Sequence, residues 1–276
     1  FTQAVFQLGG NAGTALAPLL VIMVVFTKKI VEGQLVEESH LERLVWFVLF
    51  PALAIVILLF IGAWRKKLLK QAQTLKKREI PLPDLTHAQV RNSVIILMFL
   101  VFSKNFYTAG ISNYFQFYTI KTFGFTNAQA QLYLFYYLGA AAAGTLIGGF
   151  FGDRVGRKFI IWFSILGAAP FALWLPYADA KTTAVLVVLI GFIISSAFAS
   201  ILVYAQELLP KKIGMISGVF YGFAFGMAGL GSAVLGKLID MTSITFVYKV
   251  CSFLPLMGLT AYFLPNLRKV KTKLSE

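Results

Sequence analysis

The sequence predicts an all-α membrane protein, a bundle of eight membrane-spanning helices. Hydrophobic residues make up 58% of the 276 residues and charged residues only 13%, so there is too little polar surface to cover a soluble globule. A helix needs about 20 mostly apolar residues to cross the roughly 30 Å hydrocarbon core, and several stretches reach that length. The predicted spans are residues 1–26, 45–64, 90–120, 127–151, 159–178, 182–209, 213–239 and 245–264.

The net charge of +14 lies mainly in the connections between these spans. The basic connections, residues 65–91, 152–158, 210–212 and 265–276, are each two spans apart, so they face the same side of the membrane. By the positive-inside rule that side is the cytoplasm. This placement predicts a multi-pass protein of the bacterial inner membrane with a cytoplasmic C-terminus, and it argues against nucleic-acid binding.

Few residues offer catalytic or metal-binding chemistry. The single cysteine, Cys251, lies inside the last span, which excludes a disulfide framework and a thiolate metal cluster. His40 and His87 lie in separate connections, so no histidine-based metal site or catalytic triad is visible. The sequence therefore predicts no enzyme, no metal and no cofactor.

The longest polar connection, residues 65–89, separates two groups of spans. It is basic at first and is then broken by Pro81 and Pro83, which is typical of a linker between two bundles. The chain opens at Phe1 in what already reads as a helix and has no initiator methionine. The charge pattern predicts that Phe1 is cytoplasmic, so we expect an even number of spans, or none, to precede it.

Small residues recur every four positions in the first, fourth and seventh spans. Helices in lipid gain no hydrophobic driving force from meeting one another, so such stripes favour close backbone approach. The predicted helix-packing positions are Gly9, Gly13, Gly144, Gly148, Gly222 and Gly226.

The most specific motif is the charged turn GFFGDRVGRK at residues 149–158. Gly156 permits a sharp reversal, and the Asp153 carboxylate suits the positive end of a neighbouring helix. The motif resembles the signature loop of the major facilitator superfamily, which follows the second helix of each six-helix half. The resemblance implies that this loop locks the cytoplasmic side during alternating access and that Glu207, at the end of the sixth span, pairs with Arg157. The implied gating residues are Asp153, Arg154, Gly156, Arg157 and Glu207.

The resemblance also implies a domain organisation. If the loop follows the eighth of twelve helices, the eight spans are helices five to twelve. Residues 1–64 then hold the last two helices of the N-terminal half, and residues 65–89 form a cytoplasmic linker. Residues 90–264 form the C-terminal half, and residues 265–276 form a cytoplasmic tail.

Lys104 is the only formal charge near the middle of a span. A lysine at a helix centre costs about 2.5–3.5 kcal/mol on insertion scales, so it should face the bundle interior or a watery cavity. We interpret it as part of an anion-binding face; a carboxylate partner in helices outside the chain is an equally open alternative. Amides and hydroxyls at helical spacing extend the candidate polar lining. The predicted substrate-binding residues are Lys104, Tyr107, Thr108, Asn11, Gln7 and Tyr204.

Further runs resemble drug exporters of the same superfamily and extend over nearly the whole chain. They are residues 6–20, 102–118, 162–178, 201–210 and 216–231. The resemblance implies export of an anionic drug, such as a phosphonate antibiotic, by proton antiport and alternating access, from a protein that is monomeric at full length. Ala17 stands before Pro18 where the family's antiporter motif usually has glycine. An uptake symporter for a small organic or phosphorylated anion and a non-transporting membrane scaffold stay open as alternatives.

Overall fold

The computed structural model describes the backbone of residues 2–31, 34–72 and 85–267, and the side chains of residues 2–27, 40–66 and 85–267. Within that part of the chain, eight helical segments are long and apolar enough to cross a membrane. This confirms the predicted all-α membrane fold class. The segments are Thr2–Val25, Leu41–Lys66, His87–Phe123, Asn127–Val155, Arg157–Tyr177, Ala180–Leu208, Pro210–Met241 and Ile244–Phe263.

The chain divides into two compact units, residues 20–81 and residues 1–19 with 82–276. Helix α1 (Thr2–Val25) begins in the larger unit and ends in the smaller one. The smaller unit continues with β1 (Phe26–Val31), β2 (Gln34–Ser39), a 3-10 helix (Leu41–Val48) and α2 (Leu49–Ala72).

The two-stranded ribbon was not predicted from the sequence. Its strands pair antiparallel, with Phe26 opposite Ser39 and Val31 opposite Gln34. The polar composition of this connection reads as a loop, although Ile30 and Val31 are β-branched residues that favour extended backbone.

The predicted linker at residues 65–89 is helical at both ends. Helix α2 runs on to Ala72, residues 73–84 lie outside the described part of the chain, and α3 begins at His87. The α3 start is set by a capping box, in which the Thr86 hydroxyl accepts from the Gln89 N–H and the Gln89 side chain accepts from the Thr86 N–H.

The larger unit holds the remaining helices. Three of its spans are interrupted. Pro170 and Pro255 have no backbone N–H to donate to the preceding turn, and the Ser196 hydroxyl donates to the Ile193 carbonyl in its own turn. The helices are α3 (His87–Phe123), α4 (Asn127–Val155), α5 (Arg157–Leu166), α6 (Ala169–Trp174), α7 (Ala180–Ser195), α8 (Ala197–Leu208), α9 (Ile213–Met241) and α10 (Ile244–Cys251). Short 3-10 helices follow at Leu175–Tyr177, Pro210–Lys212 and Leu254–Phe263.

The core of this unit is organised along α3. One apolar cluster includes Leu97 and Val101 of α3 and draws on α5, α8 and α9. The other includes Ile111 and Phe115 of α3 and draws on α7 and α10. Lys104 lies on α3 between these two clusters, so the fold places its charge at the midpoint of a buried apolar column.

Candidate functional site

The signature loop (residues 149–158) forms a reversal with a single residue between two helices. Helix α4 ends at Val155 and α5 begins at Arg157, and Gly156 between them has φ +119° and ψ 136°. Side chains other than hydrogen clash in this backbone region, so the reversal requires glycine.

This reversal brings together three of the predicted gating residues, which we call the ion-pair group: Asp153, Arg157 and Glu207. Arg157 Nη2 donates to Asp153 Oδ1 at 3.0 Å, and Arg157 Nη1 pairs with Glu207 Oε1. The Arg157 and Glu207 side chains are only 21% and 24% exposed, which reduces the screening of this pair by water. Arg154 is not part of the group, since its guanidinium lies 4.0 Å from the ring centre of Phe150.

A cavity of about 560 Å³ opens beside the ion-pair group. Tyr204 is part of its wall, and the Tyr204 hydroxyl donates to the carbonyl of Pro265 at 2.6 Å. Lys158 also lines the cavity, and its Nζ donates to the carbonyl of Tyr262 at 2.8 Å. The structure therefore places Tyr204, a predicted substrate residue, with the ion-pair group rather than with Lys104.

Lys104 is buried, with 9% of its surface exposed. Its Nζ lies 5.0 Å from the ring centre of Phe198 on α8, a distance typical of a cation–π contact. Within the described residues no carboxylate forms an ion pair with it. A ring face compensates a buried ammonium less than an anion does, so an anion at this position, either a ligand or a carboxylate from a segment outside the described residues, would stabilise the charge.

Phe198 connects Lys104 to the polar face of α1. The ring of Tyr221 on α9 meets Phe198 edge-on at 5.5 Å. Gln3 Nε2 and Gln7 Nε2 donate to the Tyr221 hydroxyl at 2.6 and 3.4 Å. We call these five residues, from helices α1, α3, α8 and α9, the Lys104 group.

Sequence reasoning missed Phe198 and Tyr221. A signal for Tyr221 does exist, because it is the only polar side chain between Ser217 and Ser232 in an otherwise apolar helix. Phe198 carries no such signal, since its importance lies in which side chains its ring touches.

The other predicted substrate residues lie apart from Lys104. Asn11 donates to the Thr145 hydroxyl at 2.7 Å, and Thr108 donates to the carbonyl of Asn105 in its own helix at 3.2 Å. Tyr107 belongs to the other apolar cluster, and its buried hydroxyl has no hydrogen-bond partner among the described residues. The structure thus brings Gln7 and Lys104 into one group and leaves Asn11, Tyr107 and Thr108 outside it.

The predicted packing glycines divide into two sets. A Cβ at Gly144 would overlap the backbone of Phe192, and a Cβ at Gly148 would lie 2.6 Å from the Ser196 carbonyl oxygen, so both lie at close helix contacts. At the other four predicted positions a Cβ would meet no described atom within 4 Å, so they do not pack against a helix in the described part of the chain. These four are Gly9, Gly13, Gly222 and Gly226.

Comparisons with known proteins agree with this architecture. The chain is 51% identical over 270 residues to the fosmidomycin resistance protein of Escherichia coli K12, covering 96% of this chain and 63% of that protein. It is 37% identical over 272 residues to the uncharacterized MFS-type transporter YfnC of Bacillus subtilis 168, covering 98% of this chain and 64% of YfnC. A third relative, the cis,cis-muconate transport protein of Acinetobacter baylyi, is 25% identical over 210 residues, which cover 73% of this chain and half of that protein.

The chain therefore spans less than two thirds of the length of these relatives. The relatives are named as transport or resistance proteins, which agrees with the prediction that the chain is not an enzyme. The family model of the Major Facilitator Superfamily matches residues 1–232, which are most of the sequence. With its eight apolar helices and its signature loop, the chain belongs to the Major Facilitator Superfamily.

Proposed function

We propose that this chain is part of a secondary active transporter of the bacterial inner membrane that exports a small anionic drug such as fosmidomycin. Export is coupled to proton antiport and proceeds by alternating access, with the signature loop on the cytoplasmic side. The relative that shares 51% of its residues is named for resistance to fosmidomycin, a phosphonate and therefore an anion at neutral pH.

The observation that carries the proposal is the position of Lys104. Its ammonium is buried at the middle of a membrane-spanning helix, against an aromatic ring and without a carboxylate partner among the described residues. A lysine with only a structural role would be paired with a carboxylate of the protein. A lysine that binds a ligand anion is unpaired when the ligand is absent. An anionic cargo fits the second arrangement.

The ion-pair group supports the gating part of the proposal. Gln3 and Ala4, at the start of α1, border a small cavity that also touches Asp153 and Arg157. Ala4 also packs directly on Gly149 of α4. The ion pairs, which join α4, α5 and α8, therefore lie beside the place where α1 meets α4. A few kcal/mol is enough to shift a two-state equilibrium between its conformations.

Drug resistance in a sensitive host tests the proposal. The intact wild-type protein is expected to raise the inhibitory concentration of fosmidomycin and to lower its accumulation in cells, and Lys104→Ala is expected to abolish both effects. Lys249→Ala is the matched control, because Lys249 also lies over an aromatic ring, 5.1 Å from the centre of Tyr177, but is exposed. An intact protein that confers no resistance would contradict the export proposal.

The relative named for cis,cis-muconate transport supports a second candidate. Muconate is a dicarboxylate, so a buried lysine would suit uptake of an organic anion as well as export of a phosphonate. Flux into proteoliposomes under an imposed pH gradient separates the candidates. Antiport requires the anion to move against the proton flow, symport requires movement with it, and a scaffold shows neither.

A further inference from the structure

Tyr221 is held in one orientation by four contacts from three helices. Its hydroxyl accepts from Gln3 and Gln7 of α1, and its ring meets Phe198 of α8 edge-on. The ring of Phe225, one turn further along α9, stacks nearly parallel to it at 6.3 Å. A partly exposed tyrosine fixed this firmly presents its hydroxyl in a defined direction.

The hydrogen-bond capacity of this hydroxyl is only partly used. A phenol can accept two hydrogen bonds and donate one. The two glutamine amides occupy the acceptor positions, and no acceptor for the hydroxyl hydrogen is found in the part of the chain that the structure describes. Tyr221 therefore offers a hydroxyl donor that is oriented by its neighbours and has no acceptor among the described residues.

The Tyr221 ring is linked to Lys104 through a single side chain, Phe198. Phe198 is in contact with both residues, since its ring centre is 5.0 Å from Lys104 Nζ and 5.5 Å from the centre of the Tyr221 ring. Phe198 thus contacts two side chains with unused capacity: a lysine without a carboxylate partner and a tyrosine whose hydroxyl has no acceptor, again among the described residues. Both are groups that an oxyanion would bind.

We propose that Tyr221 is a specificity-determining residue of the anion site, whose hydroxyl donates to one oxygen of the cargo while Lys104 neutralises its charge. This inference rests on the proposed function and adds a second binding group to it. The Phe198 ring lies against the Lys104 ammonium, so a phosphonate that binds the ammonium displaces this ring. Hydrogen bonds to charged groups are about twice as strong as neutral ones, so the site favours charged cargo over an ester of the same shape.

Transport kinetics in proteoliposomes containing the intact protein test the proposal, with fosmidomycin as the probe. Tyr221→Phe removes the hydroxyl and keeps the ring contact with Phe198. The KM for fosmidomycin is expected to rise about tenfold, with the maximal rate changed less than about twofold, as expected for loss of one hydrogen bond to a charged group. The KM for an esterified, uncharged analogue, where it is transported, is expected to change little.

Two further variants separate anion binding from a structural role. Tyr114→Phe is the matched control, because the Tyr114 hydroxyl also joins two helices, α3 and α9, but already donates to the Ser232 carbonyl at 2.7 Å. The KM of this variant should equal that of the wild type. Gln3→Leu removes one amide and keeps the Tyr221 donor. If Tyr221 were only a latch for α1, Gln3→Leu would reproduce the effect of Tyr221→Phe on charged and esterified cargo alike.

An unchanged KM in Tyr221→Phe, or the latch pattern just described, would overturn this inference and leave the export proposal standing. A wild-type protein that moves no fosmidomycin would overturn both. Size-exclusion profiles of each variant establish that the compared proteins are folded.

Discussion

Helices α4 and α9 have the same length, 29 residues, and the same four-residue spacing of glycines, yet they differ in what lies beside them. In α4 the stripe meets α7 and α8 so closely that a Cβ at Gly148 has no room. In α9 a Cβ at Gly218, Gly222 or Gly226 would meet no described atom within 4 Å. The pattern predicts a helix face that permits close approach, but it does not say whether a partner lies on that face.

The largest expected difference comes from adding one methyl group to each stripe. Gly148→Ala should destabilise the protein by about 3 kcal/mol, because α4 and Ser196 would have to move apart. Gly222→Ala should instead be neutral or stabilise by up to about 1 kcal/mol, since alanine favours helix where there is room. Chemical unfolding of the intact protein in mild detergent measures both values.

Either result at Gly222 sharpens the comparison. Stabilisation would mean that the α9 stripe has no close partner at all. Destabilisation as large as that of Gly148→Ala would mean that a segment outside the described residues packs on α9. Equal tolerance at both positions would contradict the contact assigned to α4.

The C-terminal end of α4 should be the next most sensitive position. Gly156→Ala places a Cβ at φ +119°, a region that costs about 2 kcal/mol for residues other than glycine. Gly214→Ala, near the start of α9 with open space around it, is the control and should not destabilise. Thermal unfolding of the two variants distinguishes backbone strain from a general effect of alanine.

Helices α4 and α9 each carry an aspartate in the last turn, and replacing the two aspartates tests whether the ion-pair group gates transport. Asp153→Asn breaks the contact with Arg157 and should lower the transport rate about tenfold, equivalent to about 1.4 kcal/mol in the barrier. Its effect on stability should be below about 1 kcal/mol, because Asp153 is 40% exposed. Asp240→Asn on α9, an exposed position, should leave the rate unchanged. Equal transport rates in the wild type, Asp153→Asn and Asp240→Asn would contradict a gating role for Asp153.

The smallest expected effect concerns the helix starts. Thr126 caps α4 by accepting from the Gln129 N–H at 3.3 Å, whereas Lys212 before α9 makes no side-chain cap. Thr126→Ala should therefore cost about 1 kcal/mol and Lys212→Ala almost nothing. Amide hydrogen exchange in the first turn of each helix checks this difference, and similar protection changes in both would argue against it.

Residue properties that act locally could be predicted from the sequence. Length and hydropathy were sufficient for the eight spans, and Gly156 could be assigned to a reversal because only glycine adopts its backbone conformation. The burial of Lys104 followed from its distance to either end of its span.

Properties that depend on neighbouring helices could not be predicted. Tyr107 lies one turn beyond Lys104 on α3, but over that turn the neighbouring helix changes from α8 to α10. Tyr204 shares helix α8 with Phe198 but lines the cavity beside the ion-pair group. Helical spacing assigns residues to a face of a helix, whereas the identity of the facing helix depends on packing between distant segments.

The interruption of the sixth span at Ser196 has a mechanical consequence. Helix α8 begins at the next residue and is only 12 residues long, with Phe198 near one end and Glu207 near the other. The Ser196 hydroxyl bonds to the Ser164 hydroxyl, and this fixes the point about which α8 would tilt. If cargo binding at the proposed anion site tilts α8 about this point, the same tilt moves Glu207 relative to Arg157 at the far end of the helix.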